Sequence, residues 1–126
     1  LSGKKLEETR KMVQALPKTK WIDICAIADI TPNTGVCALV SGEQVAIFRV
    51  GDSNDVYAIS NYDPFSKAFV LSRGIVGDRN GITKVASPIY KQNFNLATGQ
   101  CLDDETISIA TYAARVVEDR VQIATS

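Results

Sequence analysis

No histidine occurs in the 126 residues, so the commonest metal ligand and the commonest acid/base catalyst near neutral pH are both missing. Cysteine is scarce: Cys25, Cys37 and Cys101 form an odd set without C-x-x-C spacing, which argues against a zinc site or a disulfide framework. Reduced, buried thiols are expected instead. There is no Gly-rich phosphate loop of GxGxxG or GxxxxGK type, and no apolar run approaches the length of a membrane span. The formal net charge is zero, which gives no pull toward nucleic acid or an acidic membrane.

What is present is the composition of an ordinary globular domain, 45% apolar and 22% charged, in a chain of single-domain length that can bury a core without staples. The neutral total conceals an asymmetry. Residues 1–20 hold Lys4, Lys5, Arg10, Lys11, Lys18 and Lys20 against Glu7 and Glu8. This leader has no apolar segment suited to secretion, and its acidic pair is unusual in an organellar transit peptide, so a cytoplasmic location is expected. Residues 3–16 favour a short helix, with Glu7 and Lys11 spaced to pair and Pro17 as its stop. Leu6, Val13 and Leu16 make an apolar stripe that can dock on the body or on a partner.

From Trp21 the pattern changes to runs rich in Val, Ile, Tyr and Thr: WIDICAIA, GVCALV, EQVAIFRV, DVYAIS, KVASPIY, ISIATYAARV and RVQIAT. Ser41-Gly42, Gly51–Asp55 and Glu118-Asp119 separate successive runs as hairpin turns do. Many short strands with frequent turns predict an all-β fold, an antiparallel sandwich or barrel. No βαβ unit is visible, which argues against a Rossmann-type nucleotide site. Residues 61–101 break the rhythm and are expected to form a small loop-rich lobe inserted in the β body. Gly74, Gly77 and Gly81 punctuate it, and two X-Pro loops, Asp63-Pro64-Phe65 and Ser87-Pro88-Ile89-Tyr90, flank it. Each proline is expected to pin a tight loop with an aromatic ring inside it. Loops on a rigid scaffold are where function concentrates.

The two loops, with YDPF, LSRGIVGD and SPIYKQ as their most specific strings, resemble the cluster-binding lobe of Rieske-type iron–sulfur domains. In that family a C-x-H and a C-x-x-H motif hold the two irons. The resemblance places the four ligand positions at Asp63, Phe65, Ser87 and Tyr90. None of these is a cysteine or histidine, so neither a cluster nor any other metal is expected on this chain. Burial of Phe65 and Tyr90 is expected to take over the crosslinking role of the metal.

The branch that the strings resemble most, over residues 21–126, is the small subunit of NAD(P)H-dependent nitrite reductases. That resemblance implies a cofactor-free subunit of an assimilatory cytoplasmic complex reducing nitrite to ammonium. Its partner would be a large subunit carrying FAD, iron–sulfur centres and sirohaem. The implied docking surface is the degenerate lobe, with Tyr62, Arg73, Asp78, Arg79 and Lys91 as candidate contacts beside Asp63, Phe65 and Tyr90. Arg73 and Asp78 could instead pair with each other across a turn. The acidic run at 102–105 reads as a solvated turn and not as a cation site. Two other classes stand beside this one: a Rieske ferredoxin, and a Rieske-like interaction module unrelated to nitrite.

Overall fold

A computed structural model describes residues 19–125. The expected N-terminal helix lies outside the described residues. Within them the fold is all-β. Strand β1 (Lys20–Ala26) leads through a 3-10 turn at Ile27–Asp29 to β2 (Thr34–Val40), β3 (Glu43–Val50) and β4 (Asp55–Ser60). The lobe follows, with β5 (Tyr62–Asp63), β6 (Ala68–Phe69), a 3-10 turn at Leu71–Arg73, β7 (Ile75–Arg79), β8 (Ile82–Ala86) and β9 (Asn93–Asn95). The chain then returns to the body as β10 (Thr111–Tyr112), β11 (Ala114–Val117) and β12 (Arg120–Thr125).

Two sheets make the body, one ordered β1-β12-β11 and the other β10-β4-β3-β2. The lobe adds the hairpin β5-β6 and the sheet β7-β8-β9. The strands predicted for the body are present, and EQVAIFRV coincides with β3. Its uninterrupted Val45-Ala46-Ile47-Phe48 run has a structural cause: both faces of β3 are buried. Val45 and Ile47 join Ile30, Val40, Val121 and Ile123 between the two body sheets. Ala46 and Phe48 join Ile59, Leu71, Val85, Phe94 and Leu96 on the lobe side. Each of the larger side chains contributes about 1.5–3 kcal/mol by burial, and the second cluster fuses lobe to body.

Three expectations change. KVASPIY is not one strand: β8 stops at Ala86, where Pro88 supplies no N–H to continue a ladder. ISIATYAARV divides at Ala113, so that β10 pairs with β4 while β11 pairs with β12 in the other sheet. The segment spans both sheets instead of lying in one. Cys101 is buried, but Cys25 is only half-buried and Cys37 is exposed, because Cys37 lies on the face of β2 that turns away from the sandwich core.

Gly74 is where the lobe closes on itself. A Cβ there would stand 2.4 Å from the Ala86 carbonyl oxygen and 2.6 Å from Val85 Cγ2. The nearer atom belongs to backbone and cannot rotate away. Gly74→Ala is expected to destabilise the domain by about 2 kcal/mol, the cost of overpacking, measured by urea denaturation. No helix among the described residues is long and apolar enough to cross a membrane.

Candidate functional site

Asp63 ends β5 at the base of the first X-Pro loop. Pro64 initiates the turn that reverses the chain into β6, with Lys67 at φ +58° donating its N–H to the Asp63 carbonyl at 2.7 Å. The side chain of Asp63 turns inward and is fully buried. Its Oδ1 accepts the Phe65 N–H at 2.9 Å, and its Oδ2 accepts the Ser66 hydroxyl at 2.8 Å. The same Oδ2 accepts the Ser87 hydroxyl from the second loop at 2.5 Å. Ser87 is buried as well. The two loops are therefore joined by a direct carboxylate–hydroxyl hydrogen bond.

Burial pushes the Asp63 carboxyl up, but the hydroxyls of Ser87 and Ser66 and the backbone N–H groups of Phe65 and Ser66 outweigh it and hold the pKa below the ordinary value. A carboxylate with depressed folded pKa stabilises the fold fully above its unfolded pKa, about 3.9, and the contribution is lost as pH falls through the lower folded value. The difference in stability between wild type and Asp63→Asn is accordingly expected to shrink steadily as pH drops below about 4. Denaturation midpoints followed from pH 7 downward check this. A constant difference would show that the charge on Asp63 contributes nothing.

The second loop is closed by its own backbone. Ser87 donates its N–H to the Gln92 carbonyl at 2.9 Å, and its carbonyl accepts the Lys91 N–H at 3.1 Å. Lys91 takes φ +63° to complete the turn. The residues between are thrust outward, with Ile89 45% and Tyr90 61% exposed.

The aromatic expectation thus divides. Phe65 is half-buried and packs at 6.1 Å against the Phe94 ring. Tyr90 does not fill the lobe, because the turn from Ser87 to Gln92 leaves its ring no inward path. Asp63, counted among the surface contacts by sequence, is interior. The other candidates lie around the lobe: Tyr62 is half-buried against Phe69 at 5.1 Å between ring centroids, and Arg73, Asp78 and Lys91 are exposed.

Arg73 and Asp78 form no ion pair with each other among the described residues. Asp78 accepts the Gly81 N–H at 3.2 Å and shapes the Asn80-Gly81 turn. Arg79 binds Asp103 at 3.1 Å. Asp103 also accepts the N–H and the side-chain amide of Asn93, at 2.7 and 3.0 Å, and these with Arg79 lower its pKa. Asp104 accepts both the N–H and the hydroxyl of Thr106. The acidic run is a turn built on its own carboxylates. No group of three or more His, Cys, Asp or Glu side chains suited to one ion occurs among the described residues.

One residue of consequence escaped the sequence argument. Asn61 is 2% exposed, donates its side-chain amide to Gln44 Oε1 at 3.1 Å and Cys37 Sγ at 3.4 Å, and accepts the Ser72 N–H at 2.7 Å. It ties the 3-10 turn of the lobe to β2 and β3. Its position directly before YDPF was the available signal, since a polar residue after a strand often bonds nearby backbone.

Comparison with known proteins places this geometry. The model of the Rieske-like [2Fe-2S] domain matches residues 20–124. A nitrite reductase (NADH) small subunit of Salmonella typhimurium is 53% identical over 105 residues, covering 83% of this chain and 97% of the relative. The solution structure of the Escherichia coli protein NirD superposes with a TM-score of 0.81 at 50% identity, covering 86% of this chain and 99% of that one. A nitrite reductase [NAD(P)H] large subunit of Klebsiella oxytoca contains a segment 38% identical over 109 residues, which is 86% of this chain and 11% of that protein.

Proposed function

The chain belongs to the nitrite reductase small subunits, a branch of the Rieske-like [2Fe-2S] domains, and on that premise we propose that it docks through its degenerate lobe without holding a cluster of its own. It serves as the small subunit of an NAD(P)H-dependent nitrite reductase, and its partner is the large subunit. The fold family implies a cluster between the two loops. The residues here do not fit it. A Rieske centre needs two thiolates and two imidazoles, whereas these positions supply a carboxylate, a hydroxyl, a phenyl ring and an outward phenol.

The observation that carries the reading is the direct bond between Asp63 and Ser87 at 2.5 Å. The two thiolate positions of the family satisfy each other here, so the loops hold together with no ion between them. With no acid/base histidine and no described metal-binding group, the chain contributes a shaped surface, and the redox cofactors, FAD, iron–sulfur centres and sirohaem, reside on the large subunit. The assembly is assigned to the cytoplasm because its reductant is NADH or NADPH.

The test is to titrate the purified chain into the isolated large subunit while following nitrite-dependent NADH oxidation, with iron measured on the chain beforehand. A saturable effect on rate from an iron-free chain is the expected result. Iron at two atoms per chain would overturn the cofactor-free reading, and absence of any complex would overturn the docking role.

A further inference from the structure

Strand β2 is the outermost strand of the order β10-β4-β3-β2. Its register with β3 runs unbroken from Thr34↔Arg49 to Val40↔Glu43, where the two-residue turn Ser41-Gly42 closes the hairpin. Hydrogen-bonded pairs alternate with non-bonded ones along such a ladder, so from the closing pair backward Val40, Ala38 and Val36 bond to β3. The N–H and C=O groups of Leu39, Cys37 and Gly35 then point away from the sheet. Among the described residues these groups meet no backbone partner. Natural edges are guarded by charge, proline or a bulge. Thr34–Val40 contains no charged residue and no proline, and its register shows no bulge.

At the Leu39 end of this edge an apolar groove of about 520 Å³ crosses the end of the sheet toward Tyr112 and the lobe, lined by Leu39, Tyr62, Pro64, Phe69 and Ile109. Leu39 is 72% and Phe69 54% exposed. Glu43 lines the groove too, and its carboxylate accepts the Tyr112 hydroxyl at 2.5 Å. It is the one carboxylate or cation among the lining residues. Pro64 belongs to the first X-Pro loop, so groove and docking lobe are continuous.

We propose that the free edge of β2 receives an extended segment of the large subunit as an added strand, with an apolar side chain of that segment seated in the groove and a Lys or Arg beside Glu43. The proposal rests on the reading of the chain as a small subunit that docks through its lobe. Main-chain pairing supplies affinity in such strand addition and pockets for alternate side chains supply selectivity. The large subunit is the fitting source because a Klebsiella oxytoca large subunit contains a segment 38% identical to this module, so that module and large subunit occur together in a single chain there.

Amide hydrogen exchange of the full chain, free and saturated with the large subunit, tests it. The signature is alternation: Gly35, Cys37 and Leu39 amides slow in the complex, whereas Val36, Ala38 and Val40 are already protected in the free chain. Leu39→Lys, at an exposed position, is expected to keep the melting temperature and weaken the complex about tenfold or more. A complex that protects Ile89–Lys91 but leaves the Gly35, Cys37 and Leu39 amides unchanged would sink the proposal while leaving lobe docking intact. Absence of a complex would sink both. Protection already present in the free chain would also overturn it, assigning the edge to a second copy if it depends on concentration, or to residues 1–18 if removing them abolishes it.

Discussion

Replacing Asp63 by alanine is expected to lower the unfolding free energy by about 3 kcal/mol, the range for stranding buried hydrogen-bond donors around a lost charge. The substitution removes one side chain and leaves two hydroxyls and one N–H, those of Ser87, Ser66 and Phe65, without their acceptor. Ser87→Ala removes a single donor and leaves the carboxylate its other two partners, so about 1–2 kcal/mol is expected. The double variant is expected to cost less than the sum, since the same bond is deleted twice. Chemical denaturation of the four proteins measures this coupling directly. Strict additivity would mean that the two loops are held by packing alone, and the carboxylate–hydroxyl bond could no longer be regarded as the substitute for a metal crosslink.

Much of the body was legible because its strands bury apolar residues in simple patterns. The Ser41-Gly42 and Glu118-Asp119 turns carry φ values of 49° and 84°, and of 49° and 64°, and in each the second place was marked in the sequence by a residue tolerant of that region, Gly42 or Asp119. The lobe was less legible. Asn80-Gly81, at φ 52° and 85°, is the strongest kind of short-range hairpin signal, yet Ile75–Arg79 reads weakly as a strand because Gly77 and Asp78 interrupt it. The pairing of β7 with β8 comes from Val76↔Val85 and from the lobe-side core, which is tertiary information.

The candidate site divided in the same manner. Asp63 and Ser87 were marked by their place in two loops of similar build. Their contact spans 24 residues of sequence, and no local rule connects them. Tyr90 was expected inside, taking over the role of a lost metal crosslink, as well as among the surface contacts; local backbone geometry between Ser87 and Gln92 left it only the second place. Arg79 found Asp103 and not a residue of its own turn, which again depended on how β9 folds against β8.

The outward tip yields the other large effect. Pro88, Ile89, Tyr90 and Lys91 are all exposed, on a turn whose ends are closed by backbone bonds and whose conformation owes little to their side chains. An apolar and aromatic pair presented on a backbone already closed into a turn costs little backbone entropy on docking, and tyrosine is among the residues enriched in binding hot spots. The double variant Ile89→Asp, Tyr90→Ala is therefore expected to weaken binding to the large subunit about hundredfold, roughly 2.7 kcal/mol. Its unfolding free energy is expected to stay within about 0.5 kcal/mol of wild type, as for other surface positions. Calorimetric titration and urea denaturation on the same samples separate the two quantities. Lost affinity with retained stability makes the Ser87–Gln92 turn the anchor of the complex. Retained affinity would move the anchor off the tip, and the edge of β2 with its groove would then have to hold the large subunit without it.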